Sequence, residues 1–279
     1  MRRIILCACI AWLITGLAMA QSKTNHFLRA GKLPLVCGHR AGYYAQFPEN
    51  SLPVIDYTVS KSKIQPAIVE VDIRKSKDGT LYILHDETLD RTTNGQGKIA
   101  EQTDAYLSTI HLKLSTGELS SEKILTFEEL LKYAKHENVI LMLDIKTDVW
   151  RETLEAVHKN DLDDKCMVLT FDPAISKKVY DITKTVAISC LIKDESQWSA
   201  IQKLGIPAKQ LIAYIHETTK ETLINELKKQ GIPVMTDISE NNKGNTSAMD
   251  ASYYRGLVKN KKLDILITDY PVEASEKLQ

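Results

Sequence analysis

The stretch Ile68-Val69-Glu70-Val71-Asp72-Ile73 constrains the fold of this chain more than any other. Side chains alternate along a β-strand, so Glu70 and Asp72 project to the same side. Their apolar neighbours Ile68, Val69, Val71 and Ile73 occupy both faces, as in a strand covered on each side by other structure. Carboxylates side by side in such a place repel unless a proton or a cation lies between them, and a hard, oxygen-binding ion such as Mg²⁺ or Ca²⁺ resolves the conflict. A plainer reading stays open, in which both acids make ordinary salt bridges and His85, further along, is a core histidine.

The same run continues through Asp78-Gly79 to Leu81–Leu84 and then His85-Asp86. Read as a hairpin with a two-residue Asp78-Gly79 loop, it sets Lys77 against Thr80 and Asp72 against His85. If the chain instead returns to start a parallel strand, both residues still arrive at one rim. Either way an acid pair and a histidine share a site.

Along the rest of the chain, short apolar runs alternate with amphipathic stretches. Strands are expected at residues 35–37, 68–73, 81–84, 139–145, 167–171, 186–192, 211–215, 233–236 and 265–268. Helices are expected from the capping box Thr126 to Glu129 and over residues 195–204 and 221–229. Strand and helix in alternation imply a parallel sheet clad by helices. With 279 residues and no glycine-rich phosphate turn after the first strand, the expected fold is α/β, a single TIM-type (β/α)₈ barrel, normally about 250 residues. Nine strand candidates compete for eight places. Residues 87–123 contain no clear strand and read as a loop insertion after the third one.

Arg2-Arg3, an apolar run from Ile4 to Leu17 and Ala18-Met19-Ala20 mark residues 1–20 as a secretory signal. The expected mature domain is then residues 21–279, exported across the inner membrane to the periplasm without stable membrane insertion. Basic and acidic residues balance at 36 each, which argues against nucleic acid or an anionic membrane as partner. The oligomeric state is not legible. Cys37, Cys166 and Cys190 sit in apolar runs at scattered spacing, which suits small core side chains and not a disulfide framework or zinc site.

Active sites of such barrels form at the carboxyl ends of the strands. The first strand ends in Gly38-His39-Arg40, the second in Glu70 and Asp72, the third in His85-Asp86, and the fourth in Asp144-Ile145-Lys146; the last ends in Thr268-Asp269-Tyr270-Pro271. Three carboxylates for a cation, two basic side chains for a phosphate and two histidines for proton transfer suit a phosphate ester. A Schiff-base role for Lys146 is disfavoured by the acid two residues before it.

The chain resembles the glycerophosphodiester phosphodiesterase family. The resemblance rests on His39-Arg40, Pro48-Glu49-Asn50-Ser51, Glu70-x-Asp72, His85-Asp86, Leu89-x-Arg91-Thr92-Thr93-x-Gly95-x-Gly97, Asp144-x-Lys146, Phe171-Asp172-Pro173 and Thr268-Asp269-Tyr270-Pro271, in the family's order. It implies hydrolysis of a small glycerophosphodiester to glycerol phosphate and an alcohol, with one divalent cation, Ca²⁺ or Mg²⁺. His39 and His85 look like the catalytic pair, Glu70, Asp72 and Asp144 like the metal ligands, Arg40 and Lys146 like phosphate contacts, and Glu49 like a bracing acid. Ala41 stands where the family usually has glycine, Asp144 where it usually has glutamate, and Met235 where a tryptophan is usual. Related barrels act on lysophospholipids or phosphoinositide-like headgroups, and a catalytically silent phosphodiester-binding barrel is the remaining alternative.

Overall fold

The computed structural model describes Leu28 and residues 34–279; the expected signal, residues 1–20, lies outside them. The strands in chain order are β1 (Leu35–Gly38), β2 (Ala67–Lys75), β3 (Leu81–Ile83), β4 (His111–Lys113), β5 (Leu119–Lys123), β6 (Val139–Ile145), β7 (Cys166–Thr170), β8 (Ala187–Leu191), β9 (Leu211–Tyr214), β10 (Val234–Asp237) and β11 (Ile265–Thr268). The helices are α1 (Leu52–Lys61), α2 (Asp104–Leu107), α3 (Phe127–His136), α4 (Trp150–Lys159), α5 (Pro173–Ile182), α6 (Glu195–Gln202), α7 (Glu221–Lys229), α8 (Ala251–Lys261) and α9 (Pro271–Leu278).

Parallel pairing runs β1-β11-β10-β9-β8-β7-β6-β2 and closes through β1 with β2. The expected (β/α)₈ barrel is therefore present, and every barrel strand is followed by a helix. The staves are buried almost throughout, β2 reading buried from Ala67 to Ile73, because the lumen is packed and the helices cover the outside. Cys37, Cys166 and Cys190 are free and buried in this core. The capping box that opens α3 forms as expected, Thr126 Oγ1 accepting from the Glu129 amide at 3.2 Å and the Glu129 carboxylate from the Thr126 amide at 2.9 Å.

The ninth strand candidate is β3, and it is not a stave. β2 continues past the barrel rim, and β3 returns antiparallel to it, Ile73 facing Ile83 and Arg74 facing Tyr82. The insertion thus follows the second barrel strand. The hairpin register also differs from the expected one. Its loop has three residues, with Ser76 N–H donating to Thr80 O at 2.9 Å and Gly79 supplying the left-handed residue at φ +99°, the other common hairpin geometry. Asp78 does not serve the turn alone, since its carboxylate takes the amide of Asp104, the first residue of α2, at 2.7 Å. The extra loop residue moves every pair by one. Asp72 lies opposite Leu84, whose amide it accepts at 2.9 Å, and His85 comes one step further on, at the rim.

Residues 84–124 do not form a structureless loop. They contain α2 and the β4–β5 ribbon, and they bury a second core that includes Leu84, Leu89, Ile99, Leu107, Ile110 and Leu112. No helix among the described residues is long and apolar enough to cross a membrane.

Candidate active site

The parallel register of β2 with β6 sets Asp72 directly beside Asp144. Glu70, two residues back on β2, shares their side. One carboxylate oxygen from each of the three lies within 4.8 Å of the others. A divalent ion holding oxygens at about 2.0–2.6 Å spans such separations, so these residues fit a hard cation. Glu70 and Asp72 are 3% and 1% exposed. Burial, and then Asp72 beside it, pushes the Glu70 carboxyl well above the ordinary carboxylate range. Burial raises Asp144 as well. It would raise Asp72 too, but the Lys146 ammonium prevails and lowers it. Lys146 Nζ stands 2.9 Å from Asp72 and 2.5 Å from Asp144, so it balances the charge of the cluster. Asn50 Nδ2 donates to the other Asp72 oxygen at 2.7 Å.

His39 follows β1, and its Nδ1 meets Asp269, at the end of β11, at 2.8 Å. Burial opposes a charge on this ring, yet the Asp269 bond, with Glu70 and Asp237 nearby, raises it to about 9. His85 follows β3, and its Nδ1 meets Asp86 at 2.8 Å. Each Nδ1 is committed to a carboxylate, which leaves Nε2 as the ring nitrogen available for proton transfer. His39 is a neighbour of Glu70, and His85 of Asp72 and Asp144.

The turn after β1 is strained. Arg40, Ala41 and Gly42 have φ of 49°, 68° and 116°, a region that favours glycine and costs other residues of order 1–3 kcal/mol each. Ala41, at the position where glycine was expected, keeps that backbone in full burial. The turn points the Arg40 amide at Glu70 Oε2, 2.7 Å away. Its guanidinium bonds Glu49 at 3.1 and 3.2 Å, and Glu49 also accepts two bonds from Arg91 at 2.8 and 2.9 Å. Glu49 thus joins Arg40 and Arg91.

On the other side of the barrel mouth, the ends of β7–β10 surround a cavity of about 330 Å³ lined by Phe171, Tyr214, His216, Thr236 and Asp237 among others. Met235 is fully covered in the core, and its partner Thr236 reaches the cavity. Of the two adjacent tyrosines after β1, Tyr44 is buried against Tyr57 with its hydroxyl on Glu273 and the Val272 amide, while Tyr43 is exposed.

All eight expected site residues thus gather at the carboxyl end of the barrel. Sequence reasoning assigned no role to Asp269, Asp86, Asn50 or Arg91, although each stands inside one of the motifs named above. The available signal was adjacency, since His85-Asp86 sets a chemical group beside its brace.

A model of the Glycerophosphoryl diester phosphodiesterase family matches residues 39–273. The glycerophosphodiester phosphodiesterase of Caldanaerobacter subterraneus subsp. tengcongensis is 25% identical over 145 residues, 50% of this chain and 58% of that protein. A Bacillus subtilis protein of the same name is 33% identical over 118 residues, 37% of this chain and 38% of its own length. The matched segments therefore span little more than half of these relatives or less. A glycerophosphoryl diester phosphodiesterase crystal structure from Parabacteroides distasonis has a TM-score of 0.78 at 28% identity, covering 88% of this chain and 86% of that one. An Oleispira antarctica phosphodiesterase, solved in complex with the product sn-glycerol-3-phosphate, shares the fold at TM-score 0.63 and 22% identity, covering 88% and 96%. The family match begins at His39 and runs past the end of β11, and the chain belongs to the glycerophosphoryl diester phosphodiesterase family.

Proposed function

We propose that the protein hydrolyses glycerophosphodiesters to glycerol phosphate and an alcohol, with His39 and His85 as the proton-transfer pair. One observation carries this reading: two histidines, each braced through Nδ1 at 2.8 Å, share the barrel mouth with a cluster of three carboxylates within 4.8 Å of one another. The product complex of the Oleispira antarctica phosphodiesterase supports the substrate class.

Glu70, Asp72 and Asp144 would hold one divalent cation, Mg²⁺ or Ca²⁺. When bound, such a cation withdraws charge from a phosphoryl oxygen and offsets the charge that grows there in the transition state. Arg40, fixed by Glu49, supplies further positive charge at the same rim. One histidine takes the proton of the attacking oxygen, from water or from the neighbouring glycerol hydroxyl, and the other donates a proton to the leaving alkoxide. Asp269 and Asp86 keep each ring in the tautomer that leaves Nε2 for these transfers. Lys146, paired with Asp72 and Asp144, would supply further positive charge beside the cation and the phosphate.

The test is glycerol 3-phosphate release from glycerophosphocholine, glycerophosphoethanolamine and glycerophosphoinositol, with EDTA, Mg²⁺ or Ca²⁺, beside His39→Ala and His85→Ala. Release that needs the cation and falls by at least about 10²-fold in either variant is the expected result. A folded protein that binds the cation and releases nothing from any diester would overturn the reading.

A further inference from the structure

Arg91 lies in the insertion, six residues beyond His85, and its guanidinium makes two forked pairs at once. Nε and Nη2 donate to the Asp86 carboxylate at 2.6 and 2.8 Å. Nη1 and Nη2 donate to the Glu49 carboxylate at 2.9 and 2.8 Å. Asp86 Oδ1 in turn meets His85 Nδ1 at 2.8 Å. Among the described residues, Arg91 is the one cationic side chain other than His85 itself bonded to Asp86.

This arrangement does more than neutralise charge. A carboxylate on its own can rotate about its last torsion and swap the oxygen it offers to the imidazole. The fork on Asp86 removes that freedom, and the second fork, on Glu49 of the turn after β1, keeps the guanidinium from rotating with it. A lysine could supply the charge but not both planar pairs. The Arg91 bond is the first cause holding the Asp86 carboxyl well below the usual range, in keeping with a permanently ionised brace.

We propose that Arg91 is a positioning residue for the hydrolysis, acting through Asp86 to fix the orientation and tautomer of His85, so that the folded insertion controls one half of the proton-transfer pair. The inference rests on the diesterase reading for its kinetic consequence, but its structural half stands independently. Arg91 makes no described bond to the carboxylate cluster or to His39; its other contact is Glu49, which Arg40 also holds, so cation affinity is measured beside the rate.

The experiment pairs kinetics with ¹⁵N-histidine NMR on the full chain. Arg91→Ala is expected to lower kcat by about 10²-fold, the scale of a misplaced proton-transfer group, with Mg²⁺ or Ca²⁺ affinity measured by calorimetry unchanged. In a His85→Ala background the same substitution should cost almost nothing more, because the residue it positions is already gone. Arg91→Lys should recover only part of the loss. In the spectra, His85 should hold a single Nδ1–H tautomer in the parent protein and a mixture in Arg91→Ala. Equal losses in both backgrounds, full recovery by lysine, or an unchanged His85 tautomer would each overturn the proposal. The NMR arm needs no turnover, so it decides the role of Arg91 even if no glycerophosphodiester proves to be a substrate. If Arg91→Ala does not fold, the lysine variant, which keeps the charge, carries the same two readouts.

Discussion

His39 and His85 each give Nδ1 to a carboxylate at 2.8 Å, yet His39 takes its support from the barrel and His85 takes its support from the insertion. Behind His39, Asp269 accepts the Asn241 amide at 2.8 Å, and its own amide donates to Glu240 at 2.9 Å. Glu240 is itself buried and receives the hydroxyls of Tyr254 and Thr268 at 2.7 Å each. Every one of these groups sits on or beside β11 and the segment from β10 to α8. Behind His85, Asp86 and Arg91 have side chains 25% and 48% exposed. Buried hydrogen-bonded networks hold their geometry tightly, whereas exposed ion pairs are weak one at a time and need several bonds to fix a direction. One half of the pair is thus set when the barrel closes, and the other half only when a smaller unit, with its own core, has folded onto the mouth.

The largest way to break this contrast is at Asp269. Asp269→Asn keeps the shape but offers the imidazole the wrong hydrogen-bond polarity, and kcat should fall by about 10³–10⁴-fold, the scale seen when a histidine is left in the wrong tautomer. The thermal midpoint should change little, which separates tautomer loss from unfolding. A fall of less than about tenfold in steady-state kinetics would mean that His39 does not depend on its barrel brace.

A second test addresses the insertion as a unit. Leu112 is buried in the small core, and Leu112→Ala should cost about 3 kcal/mol. That loss should appear as lost amide protection confined to residues 84–124, because regions with few buried contacts open independently of the main core. Activity should fall with the fraction of molecules that have opened, while cation binding by Glu70, Asp72 and Asp144 persists. Loss of protection in β6 and β11 as well would show that insertion and barrel unfold together, and the contrast between the two histidines would lose its energetic basis.

Much of the barrel half is legible in the amino-acid sequence. Period-2 alternation aligns Glu70 with Asp72, and the ends of β1 and β6 supply His39, Arg40, Asp144 and Lys146, because strand ends of a closed parallel barrel must converge. The insertion half is less legible for three physical reasons. Whether Gly79 is the second or third residue of a hairpin loop is a choice between two common geometries, and it moves His85 by one position. The partner of Arg91 depends on the path of the loop, not on sequence spacing, since Glu49 lies 42 residues away. The eight side chains of the small core are spread over short irregular pieces, without the periodicity that marks a strand or helix. Asp269 belongs to the barrel half and escapes recognition as a partner all the same, because it lies 230 residues from His39 and meets it only when β11 closes against β1.

The smallest test sharpens where the two halves join. Arg74, near the end of β2, donates from Nε and Nη2 to the backbone carbonyl of His85 at 2.9 and 2.7 Å. This is the barrel's own hold on the second histidine, and it acts on the main chain, whereas Asp86 acts on the ring. Arg74→Lys keeps a positive charge but cannot form both bonds to one carbonyl oxygen, so about 1 kcal/mol is lost. If main-chain placement contributes to the reaction, kcat should drop by about fivefold with KM nearly unchanged. Because the ring brace at Asp86 is untouched, the His85 tautomer should stay single. A fivefold loss accompanied by a tautomer mixture would mean that the barrel also governs the ring, and the division between the two supports would have to be redrawn further into the insertion.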